Sequence, residues 1–168
     1  MRNTAILLTL ALTVVSNYGC SVKASEWKSF SDKDNEFTIT MPSPVTPVTK
    51  DSGLLQYEAS DGDTNYTVSL NKRSTLDEKQ EIETFAKTFA DTYQSGMKKA
   101  GYPTERSLEK EVSGSNWKGK LYQFDKPDGS STTIEVCVEP KHNIILYAFG
   151  GKANAPETKS FLDSFAVH

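Results

Sequence analysis

TERSLEKEVSGSNWKGKLYQFDKPDGSSTTIEVCVEPKHNIILYAFG, residues 104–150, alternates apolar and polar side chains with a period of two, interrupted at three short links. Such alternation puts successive side chains on opposite faces of a strand. It predicts strands near Arg106–Ser113, Trp117–Asp125, Ser131–Glu139 and Ile144–Gly150. Gly114-Ser115, Pro127-Asp128-Gly129 and Lys141-His142-Asn143 carry turn chemistry, and links so short join antiparallel neighbours. A four-strand antiparallel meander therefore stands at the centre of the fold.

Immediately upstream the period becomes helical, with Ile82, Phe85, Ala86, Phe89, Ala90, Tyr93 and Met97 recurring at spacings of three and four. Thr75 and Glu78 form a capping box, Lys98 and Lys99 suit the negative end of the helix dipole, Gly101 can take the left-handed closing conformation, and Pro103 blocks continuation. These signals predict a helix from Leu76 to Ala100. Further upstream, Trp27–Phe30 and Glu36–Met41 read as two short strands, and Leu54–Ala59 and Tyr66–Lys72 as a hairpin around Asp61-Gly62-Asp63. Between these pairs, Pro42, Pro44 and Pro47 exclude a central strand or helix and impose an extended course. Downstream, Asn154, Pro156 and Glu157 signal a helix start, and Phe161, Leu162 and Phe165 give it a short apolar face to lay on the sheet. Strands grouped apart from helices predict an α+β domain, a mostly antiparallel sheet flanked by helices in an α/β/α sandwich.

The 168 residues fit one domain, and 36% hydrophobic against 24% charged residues is enough to build a core. Arg2 followed by the uncharged, mostly apolar run Thr4–Ser16 has the order of a secretory signal, and the run is too short for a permanent membrane span. Val22-Lys23-Ala24 fits a signal-peptidase site, which divides the chain into a signal peptide over 1–24 and a single domain over 25–168. Asn17-Tyr18-Gly19-Cys20 offers the alternative of a lipoprotein signal over 1–19 with Cys20 lipidated, although Asn17 stands where that motif carries an apolar residue. Both routes place the domain outside the cytoplasm, periplasmic or secreted in the first case and lipid-anchored in the second. Membrane contact would run only through the lipid on Cys20. Cleavage after Ala24 removes Arg2 and Lys23 and no acid, taking the formal charge from −3 to −5. No basic cluster remains for nucleic acid. With Cys20 removed or lipidated, Cys137 has no intrachain partner, so the domain stands on its core and not on a disulfide.

Trp27 and Phe30 ahead of Phe37-Thr38-Ile39-Thr40-Met41-Pro42, then Tyr66-Thr67-Val68, the long helix and the closing Phe161-Leu162-Asp163-Ser164-Phe165 resemble a small exported bacterial protein of the PsbP-like superfamily. The resemblance runs over nearly all of residues 25–168 and rests on apolar and turn positions. It implies a central antiparallel sheet covered by helices on both faces. It also implies action by docking onto other proteins, as the extrinsic photosystem subunit and a GTPase-binding nuclear factor of that superfamily do. It carries no catalytic motif, and so no site residues.

Read on their own, the chemistry-bearing residues are few. His142 and His168 are the two histidines, one in a turn and one at the last position, and no Gly-x-Ser-x-Gly elbow accompanies them. Glu135, Cys137 and Glu139 share one face of a strand with His142 just beyond the turn, which makes these four the candidates for a metal site. The competing reading makes Ile134, Val136 and Val138 the core face and leaves both acids on a solvated face, with Cys137 a space-filler. Gly150-Gly151-Lys152 lacks the spacing of a phosphate loop and reads as an ordinary turn. Trp117, Tyr122, Phe124, Tyr147 and Phe149 fit either the core or an aromatic docking surface. These residues call for no catalytic group and no cofactor. They lead to a non-catalytic envelope module that docks a protein partner, with a small-ligand or metal-binding module as the alternative.

Overall fold

The computed structural model describes residues 25–32, 34, 37–49, 54–73 and 82–168. Both signal readings over 1–24, Cys20 included, and the Thr75–Glu78 capping box lie outside the described residues. The elements are β1 (Trp27–Asp32), β2 (Phe37–Pro42), β3 (Thr46–Thr49), β4 (Leu55–Asp61), β5 (Thr64–Lys72), α1 (Ile82–Lys99), β6 (Glu105–Ser113), β7 (Lys118–Asp125), β8 (Ser130–Val138), β9 (His142–Lys152), α2 (Pro156–Asp163) and β10 (Ala166–Val167). Seven strands form the main sheet in the order β3-β4-β5-β9-β8-β7-β6, and β1-β2-β10 form a second, smaller one. Every strand pair among the described residues is antiparallel.

The predicted meander is β6 to β9, and the predicted hairpin β4–β5 docks against β9. The prolines act as their chemistry dictates. Pro42 ends β2, and Pro47 sits in β3, an edge strand where its missing N–H costs no internal ladder bond. Gly62 closes the hairpin turn at φ 58°, and Gly101 takes φ 84° just past α1. Gly150-Gly151-Lys152 is not a turn, as its composition predicts, but the end of β9. There the ladder slips by a residue opposite Ser130–Thr132, and a Cβ on Gly150 would lie 2.5 Å from the Asp63 carbonyl oxygen.

Each face of the main sheet carries its own core. On one, Ala86, Phe89 and Ala90 of α1 pack on Tyr122, Phe124, Ile134 and Val136. On the other, α2 and the small sheet bring Phe37, Ile39, Met41, Phe161 and Leu162 onto Tyr57, Tyr66, Val68 and Leu146. A helix alone does not cover this second face. β2, held between β1 and β10, completes the layer, a strand-on-sheet arrangement that the period of residues 25–42 cannot reveal because β10 is only two residues long.

Ion pairs clamp α1 to the β6 edge. Arg106 on β6 bridges Asp91 of α1 at 2.5 Å and Glu109 at 3.3 Å, and Lys120 on β7 reaches Glu83 of α1 at 3.3 Å and Glu109 at 3.4 Å. The Arg106 guanidinium also lies 5.3 Å from the Tyr122 ring centre and 5.7 Å from that of Phe124. Its side chain is only 20% exposed, so the stacking is partly desolvated. Arg106→Ala is expected to cost about 1–2 kcal/mol in urea unfolding, and Arg106→Lys to recover only part of that, because a compact ammonium lacks the planar guanidinium fork that meets Asp91 and Glu109 while lying flat on Tyr122 and Phe124.

Candidate functional site

Glu135 and Cys137 lie on the central strand β8 and point toward the α2 side of the sheet. Cross-strand register places Leu121 and Leu146 beside Glu135, and both are buried. The carboxyl is 4% exposed and accepts a hydrogen bond from the Cys137 thiol at 3.4 Å. Burial pushes the Glu135 carboxyl up to about 7, with the Asp163 charge adding to the rise and the thiol bond and Lys110 opposing it. Burial likewise raises the Cys137 thiol well above its ordinary value, helped by the neighbouring carboxyl. A thiol so held is a poor nucleophile. In a chain carrying Cys20→Ser, Cys137 is expected to stay unmodified by a thiol reagent in native buffer and to react completely in denaturant. Stoichiometric labelling of the folded protein would contradict its burial.

Glu139 and His142 form the second pair, at the turn from β8 to β9. The Glu139 carboxylate accepts the Lys141 backbone N–H at 2.9 Å, and its Oε1 lies 2.5 Å from His142 Nδ1. Both are buried, at 5% and 8% exposure. Beneath the turn is a cleft of about 170 Å³ lined by Asn116, Glu139, Lys141, His142, Val167 and His168 among others. His168 is carried there by β10, which pairs with β2, and its Nε2 lies 3.1 Å from Thr38 Oγ1. Both histidines therefore meet one cleft, a convergence made by long-range pairing and invisible to local pattern. Among the described residues no Ser, Thr or Cys lines that cleft, and the Thr38 hydroxyl meets His168 from β2.

The expected solvated face is thus overturned: Glu135 and Glu139 are buried, because the side of β8 opposite Ile134 and Val136 is covered as well. Of the expected core face, Ile134 and Val136 are fully buried and Val138 is half-buried, while Cys137 on the opposite side is fully enclosed. Nor do the four metal candidates converge. Four residues of strand separate Glu135 from Glu139 by roughly 13 Å, and each acid is engaged with its own neighbour. Among the described residues no group of three His, Cys, Asp or Glu side chains is placed to hold a metal ion. Of the aromatic candidates, Trp117, Tyr122 and Phe124 are buried, Tyr147 packs against Phe89 of α1, and the Lys126 ammonium covers Phe149 at 4.0 Å. The first four belong to the core, and Phe149 is a half-buried ring outside both clusters. Among the described residues the exposed large hydrophobic side chain is Tyr102, at 53%, in the loop after α1.

A two-core antiparallel sandwich with one long helix on one face, and a short helix plus a strand pair on the other, is the PsbP-like fold. The solution structure of cyanobacterial PsbP (CyanoP) from Synechocystis sp. PCC 6803 matches it with a TM-score of 0.58 at 14% sequence identity, covering 92% of this chain and 99% of that one. No family model matches the chain, and no curated protein does so significantly. The likeness is one of fold.

Proposed function

We propose that the chain is a non-catalytic accessory module of the cell envelope, exported by its N-terminal segment and working by docking a protein partner. The observation that carries this reading is the PsbP-like fold across 92% of the chain, joined to the docking mode that the resemblance implies. The disposition of the reactive side chains supports it: the thiol is buried and protonated, and the Glu139–His142 pair braces a turn in a cleft that, among the described residues, is lined by no Ser, Thr or Cys. Among the described residues no helix is long and apolar enough to cross a membrane. A photo-crosslinking residue at Tyr102, with the chain expressed at native level, is expected to give one discrete adduct in the envelope fraction, absent when the probe is moved to the buried position Ala86. Absence of an adduct at Tyr102 and at exposed sites around the molecule would overturn the docking reading. Intact mass settles the route of export, since chains starting at Ser25 and at a lipidated Cys20 differ unmistakably.

The cleft under the β8–β9 turn supports a second reading, a small-ligand or metal-binding module. Its volume of about 170 Å³ is below the several hundred Å³ of ordinary ligand pockets, so it would take an ion or a few heavy atoms. A ligand at a hundred times its Kd would add about 2.7 kcal/mol of stability. A flat melting temperature across a panel of metal ions and small anions would remove this reading.

A further inference from the structure

Glu135 lies in the middle of a cross-strand row formed by Lys110, Leu121, Glu135, Leu146 and Val68, on the side of the sheet that α2 covers. Around it β7 offers Gly119, Leu121 and Gln123, with Asp125 at the strand's far end, and β9 offers Ile144, Leu146 and Ala148. The ionisable groups on the surrounding elements are Asp163 in the last turn of α2, which pairs with Lys159, and Lys110 on β6, together with Cys137 and, farther along, Glu139 on β8 itself. Among the described residues no cation forms an ion pair with the carboxyl. α2 is eight residues long, is capped by no side chain at its start, and holds to the sheet through Thr158, Phe161 and Leu162. A helix that short owes its stability to its docking.

We propose that Glu135 is a proton-operated latch for α2: with the carboxyl neutral, α2 and the following β10 stay seated on the sheet, and with the carboxyl ionised they open to let water reach it. An ionised carboxylate beside the buried Leu121 and Leu146 has Lys110, two strands away, as its attracting charge, and Asp163 at the end of α2 repels it. Closure is thereby favoured in mildly acidic surroundings and opening in mildly alkaline ones. The pH range follows from burial, which places the carboxyl's proton release near neutrality.

The test is amide hydrogen exchange of the intact domain at pH 5.5 and 8.0, read as protection factors so that the intrinsic pH dependence cancels. The reporters are the Ser164 and Phe165 amides, which bond to Ser160 and Leu162 at the end of α2. Their protection is expected to fall on the order of 10-fold between the two pH values, from opening events smaller than those that expose the β8–β9 ladder. Glu135→Gln is expected to abolish that fall. The proposal is overturned if protection at Ser164 and Phe165 does not change with pH, if it changes equally in Glu135→Gln, or if these amides exchange only together with the β8–β9 ladder. Should Glu135→Gln fail to fold, Asp163→Asn takes its place: removing the repelling charge is expected to shrink the fall, and an unchanged fall overturns the latch.

Discussion

Phe161→Ala is expected to lower the unfolding free energy by about 3–5 kcal/mol, the range for truncating a fully buried phenylalanine. Phe161 is 0% exposed, and its ring lies 5.2 Å from that of Tyr66, which in turn meets Trp27 at 5.0 Å. The side chain therefore joins α2, the main sheet and the first strand of the small sheet. Deletion removes apolar burial and leaves a cavity whose walls come from three separate elements and cannot all move in. The check is the urea midpoint at constant m-value. A loss under about 1 kcal/mol would mean that α2 is not seated as described. Phe89→Ala, on the α1 face and in the other core, is expected to add independently to it, because the two side chains share no partner across the sheet.

Glu135 gives the second large effect, and its sign follows from linkage. In the unfolded chain the carboxyl loses its proton near 4.5, and in the folded chain near 7. Between those values the native state retains a proton that the unfolded state has released, so stability is fully present below about 4.5 and declines until about 7. From pH 5 to pH 8 the loss amounts to about 2–3 kcal/mol, or roughly 5–10 °C in melting temperature for a domain of this size. Thermal melts of the native chain and of Glu135→Gln across that range isolate the carboxyl from every other titrating group. The native chain is expected to soften with rising pH and the variant to stay nearly level, so that the variant is the more stable of the two at pH 8. Parallel curves would contradict the burial of this acid.

What the chain declares locally, it declares well. Strand alternation in residues 104–150, the three-four stripe of α1 and the proline-rich break before β4 are all short-range consequences of side-chain sterics and burial; the four strands fall within two residues of their expected bounds, and α1 ends at Lys99, one residue before the expected Ala100, while its expected start at Leu76 lies outside the described residues. α2 begins at Pro156, although Ala155 and not Asn154 is its cap, and Asn154 instead turns the chain at φ 58°. What escapes local reading is the partner of each face. Glu135, Cys137 and Glu139 alternate with Ile134 and Val136, a pattern that normally marks one wet and one dry side. Here both sides are dry, because α2 and β2 arrive from opposite ends of the chain. The polar members of β8 are in fact the signal: an acid and a thiol two residues apart on a central strand must find a partner or a proton. Likewise His142 and His168 seem unrelated at 26 positions' separation until β10 pairs with β2 and sets both in one cleft.

The docking role proposed for the chain requires the buried acid–histidine pair at the β8–β9 turn to serve the fold alone. Replacing both members, Glu139→Gln with His142→Gln, in a strain where the native gene is deleted puts it to the test, provided the purified variant keeps its fold by circular dichroism. The account predicts that this folded variant restores the native phenotype and retains the Tyr102 crosslink. A folded variant that keeps the crosslink yet fails to restore the phenotype would contradict it and place the chain's activity in the cleft.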